Sequence, residues 1–567
     1  YDPYDSLTTN DEPCTTSGPE LGAELWAYVP YNLLPHLYWL TEANYGHSYY
    51  VDGKPRIFDA KIFAEEGACT DVASAGCVHP GGWGTVMVVG MRMGGAAIRA
   101  DLNKTDGTAV QTTDPLMKSS FIIFDITNPE APPKLLGEIA TPNMGYSTNY
   151  PALTIVKDGN GDKNYAAYDA TNPAAGENRW FLDFGSGPAN ANGEPDKALL
   201  NVVGSEQRGR FYMLDLVQLA KYNKLMTLTD ETLVDGSVQT GVLKEGLYPY
   251  LTLSGDDETQ SFVSDSISVD MDTDYNADAI YFGTVSGSAP STVSGSGWKG
   301  KLRRIVIDNK QDPTTWLADN VMFNAGQPIS AAPTFAHGRS GRKWVFFGTG
   351  RFFSATDALD TSTQSMYGIM EPLAAASGSR SYAEVSSSAL VDTTNYKVYG
   401  NKTVDMNGTT VTWDNFLSLM RASGGWRIDF LNPTSTVDDT RTVQVGERSL
   451  YQPLVAGGAV AFTTFVPSEN ICEAGGESFL WGRYYETGTD YYIPIFSSKT
   501  VTVGGETLQQ NTSVVPAGSG MASNLVLNSG PDGDTVLYQN NGQPKTEGIQ
   551  LPDPSSKTGK RGWKVKE

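Results

Sequence analysis

Short apolar runs recur along the chain and end in one of two residues. The runs at 85–90, 198–204 and 344–348 end in Gly, those at 121–125, 211–215 and 304–308 end in Asp, and a longer run spans 459–465. Runs of this length, rich in Val, Ile, Phe and Tyr and bounded by turn residues, predict strands. The unit "apolar run–Gly, turn, apolar run–Asp" repeats with insertions of unequal length. That pattern predicts the four-stranded blades of an irregular, seven-bladed β-propeller; a β-sandwich or several small β domains is the alternative. The expected organisation is an N-terminal arm with short helices over 1–50, a propeller over 51–495, and a small C-terminal strand unit over 496–567.

The flanks read differently. Ser17-Gly18-Pro19-Glu20 fits a capping box, and the spacing of Trp26, Leu33, Leu34 and Leu37 predicts two short amphipathic helices broken at Pro30 and Pro35. Residues 373–424, rich in Ser, Thr and Asn, predict an extended excursion from one blade. In the tail, 501–503 and 536–538 read as strands. Trp563 and Val565 alternate with charges near the C-terminus and read as an edge strand.

Composition narrows the class. The chain has 567 residues with 60 Gly, 31 Pro and 11% aromatics, an all-β balance. A net charge of −23 disfavours nucleic-acid binding and suits an exported, soluble protein that holds cations. No apolar stretch reaches the length of a membrane span. The chain begins at Tyr1 without an initiator Met or a signal peptide, which predicts a processed or truncated form. Of the four cysteines, Cys69 and Cys77 predict a local disulfide in an oxidising compartment, and Cys14 with Cys472 would join the two ends of the fold. No C-x-x-C-H for haem and no C-x-x-C for zinc is present.

The chemistry concentrates in one loop. Asp270, Asp272, Asp274 and Asp278 occupy positions 1, 3, 5 and 9 of a nine-residue segment, with Asn276 at position 7. Carboxylates at that spacing, with a backbone carbonyl at position 7, wrap a hard cation in oxygen. An all-oxygen, flexible loop favours Ca²⁺ over Mg²⁺. The segment departs from an EF-hand: Tyr275 stands where a sharp turn takes Gly, and Tyr281 where the bidentate Glu belongs. A solvated acidic turn is the alternative. The segment from Asp158 to Asn164 resembles a second loop but has Ala166 at position 9, so it reads as an Asx-rich turn. Gly255-Asp256-Asp257-Glu258 reads as a solvated acidic turn. His36, His47, His79 and His337 form no recognisable catalytic set, His47 reading as a structural hydrogen-bonder, and no pair among the 64 acids is singled out for glycosidase chemistry. Tyr248 and Tyr250, like Tyr484 and Tyr485, read as packing residues.

Several motifs together resemble the C-terminal β-propeller of the PilY/PilC family of type IV pilus tip proteins. The likeness runs from about Leu25 to Gly488. It is carried by Leu25-Trp26-Ala27-Tyr28-Val29-Pro30, Tyr45-Gly46-His47, Trp83-Gly84-Thr85-Val86, Phe124-Asp125-Ile126-Thr127-Asn128-Pro129 and Met144-Gly145-Tyr146-Ser147. Further along come Gln327-Pro328-Ile329-Ser330, Phe347-Gly348-Thr349-Gly350-Arg351-Phe352, Gly425-Trp426 and Phe462-Thr463-Thr464-Phe465. The resemblance implies Ca²⁺ ligands at Asp270, Asp272, Asp274, Asn276 (through its carbonyl) and Asp278. It also implies a non-enzymatic, extracellular role at the pilus tip in biogenesis and adhesion, with minor pilins and a host or abiotic surface as partners. The family's usual Gly is Tyr275 here, and an Asp after the loop strand is Thr284. Two rival classes predict other features: an integrin-like propeller receptor predicts cation loops in successive blades, and a quinoprotein dehydrogenase predicts Trp-docking repeats.

Overall fold

The computed structural model describes residues 24–63, 77–101, 109–156, 178–222, 251–287, 297–308, 316–372, 381–430, 446–468, 475–512, 514–530 and 533–552. Five antiparallel sheets follow one another along the chain. The first consists of Arg56–Lys61, Trp83–Gly90, Phe121–Asp125 and Lys134–Ile139, and the second of Ala152–Val156, Arg179–Gly185, Arg210–Asp215 and Leu251–Thr252. The third contains Ser261–Val269, Ala279–Ser286, Lys301–Val306 and Leu317–Asn324. The fourth contains Thr334–His337, Lys343–Gly348, Ser365–Met370 and Gly425–Asp429, with Leu390–Asp392 added in parallel at its edge. Leu454–Ala456, Ala459–Pro467, Gly476–Tyr484 and Val514–Ser519 make the fifth. The all-β class stands. Against the seven blades expected, the described residues form five sheets of four or more strands. A three-stranded sheet, Val526–Gly530, Gly533–Asn540 and Gln543–Gly548, packs beside the fifth.

The apolar runs are continuous because most sheets are covered on both faces. In the second sheet Trp180 and Leu182 pack toward the first sheet while Phe181 packs toward the third. In the third, Ile280 and Phe282 face the second sheet and Ala279 and Tyr281 face the fourth. In the fourth, Val345 and Phe347 face the third sheet, and Trp344 and Phe346 the fifth. Successive side chains of a strand point to opposite faces, so a doubly covered strand must be apolar at every position.

Glycines within or at the end of these strands mark where one sheet meets the next. A Cβ at Gly90 would lie 2.7 Å from the Ser147 carbonyl oxygen, at Gly185 2.1 Å from Val263, at Gly283 2.4 Å from Ile329, and at Gly348 2.3 Å from Ser449. In each case the neighbour belongs to the segment that enters the following sheet, so close approach demands Gly. The terminal aspartates organise turns. Asp125 Oδ1 accepts from Thr127 N (3.0 Å) and Thr127 Oγ1 (2.6 Å), and Asp215 Oδ1 accepts from Val217 N (3.0 Å) at the start of the helix Leu216–Tyr222.

Two expectations are corrected and a third is filled in. Residues 198–204 do not form a strand: Asp196 accepts from Ala198 N (2.9 Å) and caps a 3-10 helix over Lys197–Asn201, a local cap that outweighs the apolar run. Among the described residues the lead-in holds one 3-10 helix, Tyr31–Thr41, which starts after Pro30 and runs through Pro35. The proline costs the segment a donor and crowds the preceding turn, and contacts from outside offset this, among them Tyr31 N donating to Glu138 Oε1 (2.7 Å). The excursion expected over 373–424 leaves the fourth sheet after Met370 and returns at Gly425, and beyond residue 380 it carries structure of its own. Lys397–Val398, Thr403–Met406 and Thr409–Thr412 form a small sheet, and Trp413–Ala422 an α-helix burying Trp413, Phe416, Leu417 and Met420. That spacing of i, i+3, i+4 and i+7 was available in the sequence. The strands expected at 501–503 and 536–538 lie within Ser497–Val503 and Gly533–Asn540. The capping box at 17–20 and the edge strand expected near Trp563 lie outside the described residues.

Candidate metal centre

The acidic loop joins the first two strands of the third sheet, and its base is pinned on several sides. Asp278 N donates to Val269 O (2.8 Å) within the sheet, and Ile307 N donates to Asp278 O (2.8 Å). Ala277 N donates to Ile155 O (2.9 Å) of the second sheet. From the fourth sheet, Lys343 Nζ donates to the Met271 carbonyl and lies 2.8 Å from His337 Nδ1.

Within the loop the backbone folds around one carboxylate. Asp270 Oδ1 accepts from Thr273 N (2.6 Å), Asp274 N (3.2 Å) and Asp272 N (3.3 Å), and Asp270 Oδ2 accepts from Tyr275 N (2.7 Å). Asp278 Oδ2 accepts from Met271 N (2.6 Å). To present these donors the chain turns left-handed at Thr273 (φ 63°) and Tyr275 (φ 70°). The second is the position where glycine was expected, and a tyrosine there carries backbone strain. Its ring points outward, 55% exposed.

The fold brings together three of the predicted ligands. One carboxylate oxygen from each of Asp270, Asp272 and Asp278 lies within 4.8 Å of the others. Asp274 stands outside this group; its Oδ1 accepts from Asn276 N (2.8 Å). Asn276 and Asp278 are buried. Like charges this close repel by about 1 kcal/mol per pair in water and by severalfold more where partly buried. Asp270 Oδ2 accepts one of the four N–H groups and keeps a second lone pair for a cation. The donor set is hard and all-oxygen, and it fits a divalent cation such as Ca²⁺.

Behind the loop lies a buried polar cluster that the sequence did not signal. Arg304 Nη1 donates to both carboxylate oxygens of Glu371 (2.9 and 2.8 Å), Arg304 Nη2 donates to Ala383 O (2.8 Å), and the Tyr281 hydroxyl donates to Glu371 Oε1. Burial, reinforced by the Glu371 carboxylate, raises the Tyr281 phenol far above its ordinary value and keeps it protonated. Tyr382 completes the link: its hydroxyl donates to Asp308 Oδ1 (3.0 Å), one residue beyond Ile307 at the loop base.

The other singled-out residues are dispersed. His36 Nε2 pairs with Ala96 O (2.9 Å), His79 Nε2 with Asp125 Oδ2 (2.9 Å), and His79 stacks on Phe63 with ring centroids 3.8 Å apart. His47 is exposed with its ring against Tyr49, 4.7 Å between centroids. The acidic turn at 255–258 is not simply solvated. Glu258 is fully buried, accepts from Thr284 Oγ1 (3.0 Å) and lies 3.5 Å from Arg303, while Lys301 Nζ donates to Asp257 (2.6 Å). Basic residues of the neighbouring strand draw these acids in, and Thr284, at the family's Asp position, serves this contact. Tyr484 and Tyr485 are buried packing residues. Cys77 is disulfide-bonded. Cys14, Cys69 and Cys472, the segment from Asp158 to Asn164, and Tyr248 and Tyr250 lie outside the described residues. Among the described residues Asp270, Asp272 and Asp278 are the one group of acids, histidines or cysteines placed to share a metal, and no helix is long and apolar enough to cross a membrane.

No protein-family model matches the chain. It is 24% identical over 466 residues to a type IV pilus biogenesis factor PilY1 homolog of Xylella fastidiosa (strain Temecula1 / ATCC 700964), covering 81% of this chain and 27% of the relative. It is 23% identical over 527 residues to the type IV pilus biogenesis factor PilY1 of Pseudomonas aeruginosa (strain UCBPP-PA14), covering 88% of this chain and 37% of the relative. The chain thus spans about a quarter to two-fifths of the length of these relatives. Among solved structures, the Pseudomonas aeruginosa PilY1 C-terminal domain superposes with a TM-score of 0.53 at 17% identity, covering 94% of this chain and 89% of that one. The sequence likeness over four-fifths of the chain and the fold likeness over nearly all of it converge on one conclusion: the chain resembles the C-terminal region of the PilY1-type proteins.

Proposed function

We propose that this chain is the C-terminal, non-enzymatic part of a type IV pilus biogenesis protein of the PilY1 type, exported to the cell surface. In this reading it sits at the pilus tip, docks minor pilins there, and supports assembly and surface attachment. Ca²⁺ bound by Asp270, Asp272 and Asp278, with Asp274 and the Asn276 carbonyl completing the set, neutralises the acidic loop and fixes its shape. The observation that carries the metal reading is the convergence of three carboxylates within 4.8 Å on a loop anchored to three sheets. The similarity to PilY1-type proteins supports the pilus reading.

The loop's own residues supply the mechanism. Asp270 gathers the backbone N–H groups and sets the turn, Asp278 ties the loop to its base, and Lys343 carries the position of Met271 to the fourth sheet. Ordering the loop therefore fixes one edge of the third and fourth sheets, the surface offered to a pilin. The test is calorimetric titration of Ca²⁺ into the chain, with piliation and surface attachment scored in cells making the full-length protein. One saturable site, abolished by Asp270→Ala and weakened by Asp274→Ala, with loss of attachment in the same variants, is expected. Absence of saturable binding at millimolar Ca²⁺ sinks the metal reading, and normal piliation and attachment without the protein sinks the pilus reading.

A further inference from the structure

Between the N-terminal arm and the connections of the first two sheets lies a cavity of about 720 Å3. That volume is in the range of small-ligand pockets and far exceeds what a single ammonium or carboxylate group fills. Trp39, Tyr45 and Tyr49 line it and remain 41%, 44% and 45% exposed. Tyr484 and Tyr485, by contrast, are each 2% exposed within the core. Large rings left partly in water forgo part of their burial, and three around one cavity form a surface suited to a flat, partly apolar ligand.

The polar lining selects among such ligands. Asn190 commits its amide oxygen to Asn192 N (2.9 Å) and Glu194 N (3.0 Å), so the group it can offer a ligand is its NH2 donor. Three acids, Glu42, Glu194 and Asp196, face a single lysine, Lys197, a balance that disfavours anions. Two of those acids have partners at hand: Asp196 accepts from Ala198 N (2.9 Å), and Glu42 lies beside the Tyr38 hydroxyl. The remaining carboxylate, Glu194, is an acceptor for hydroxyl groups, and one charge is a weak lure for a polycation.

We propose that this cavity binds a neutral di- or oligosaccharide. The C–H face of a sugar ring stacks on Trp39 or Tyr49, Asn190 donates to one hydroxyl, and Glu194 accepts from another. This site is independent of the acidic loop and of the pilus reading.

The test uses the 567-residue chain and four probes (lactose, cellobiose, maltose and N,N′-diacetylchitobiose), with spermine as the cationic probe. Binding is read by saturation-transfer NMR and tryptophan fluorescence. Saturable binding of at least one sugar is expected, weakened about tenfold by Trp39→Ala or Tyr49→Ala and held within about threefold by Trp39→Phe, with the melting temperature of each variant unchanged. Glu194→Gln weakens the sugar only a few-fold. The proposal is overturned if none of the four sugars saturates by about 50 mM, if neither alanine variant changes the binding, or if spermine alone binds and Glu194→Gln abolishes it.

Discussion

Two carboxylates organise two regions of this molecule in the same way and to different ends. Asp270 accepts from the backbone N–H of residues 272 to 275, all within its own loop. Glu138, fully buried in the first sheet, accepts from the Tyr28 hydroxyl (2.6 Å), Tyr31 N (2.7 Å), Asn32 N (3.1 Å) and Asn32 Nδ2 (2.7 Å), groups more than 100 residues away in the chain. Glu138 thereby holds the start of the 3-10 helix Tyr31–Thr41, where an anion satisfies the free N–H groups of a helix beginning. Asp270 sits beside two further acids, whereas Glu138 is satisfied by neutral donors. The lesson is that a carboxylate ringed by N–H groups is a structural clamp by default. It becomes a candidate cation ligand when other carboxylates crowd it.

The regions also differ in how widely they are tied down. The loop is bound to three sheets. The arm is held against the first sheet and its connections: at Glu138, at Lys118 N and Ala96 O through Asn32 and His36, and over Phe124 through Tyr28 and Leu33. Eleven of the 21 exposed large hydrophobic side chains among the described residues fall between Leu25 and Val51. Apolar exposure is thus concentrated on the arm rather than scattered, as expected of a surface that meets something else.

The sharpest way to break the comparison is Glu138→Ala. It strands several buried donors at once and costs about 4 kcal/mol, read as a fall in the urea midpoint, with protease sensitivity appearing first at the arm. A loss below about 1 kcal/mol would show that Glu138 is no clamp. Next is Asp270→Ala, whose effect separates clamp from ligand. At Ca²⁺ a hundredfold above its dissociation constant the unaltered chain gains about 2.7 kcal/mol, and the variant gains none. If the variant loses stability equally with and without Ca²⁺, Asp270 is a clamp like Glu138.

A third test concerns pH. Asp265, partly buried on the first strand of the third sheet, accepts from Tyr150 N (2.6 Å), yet burial raises its carboxyl to about 6, with Arg92 and Lys54 opposing the rise. In the unfolded chain the same group ionises near pH 4. The folded form holds the proton more tightly, so this contribution to stability is complete below about pH 4 and is lost as pH rises through about 6. Thermal melts of Asp265→Asn should lack that step. The smallest effect is at the strained turn: Tyr275→Gly removes a left-handed tyrosine whose ring is largely in water, and gains about 1 kcal/mol in the absence of Ca²⁺. A destabilised variant would mean that the ring makes contacts that outweigh the strain.

The acidic loop was legible because its acids are neighbours in sequence: alternating aspartates before an apolar run determine a turn and its oxygen donors locally. The strands were legible for a similar reason. Burial on both faces writes an unbroken apolar run, and Gly and Asp mark its end. The local reading failed where a short-range cap outweighed the run, as at Asp196, and where a far segment supplied the partner. Glu138 looks like any exposed strand acid until the arm folds onto it, and nothing near Arg304 names Glu371 as its mate. Sequence by itself determined the all-β class, most of the strands and the acidic loop, since these depend on residues within a few positions of one another. Tertiary structure decided which three carboxylates meet, that Lys343 reaches the loop, and that three aromatic rings of the arm border a cavity. Those outcomes depend on distances between segments about 70 to 160 residues apart, or on the exact course of the loop backbone, which no local pattern encodes.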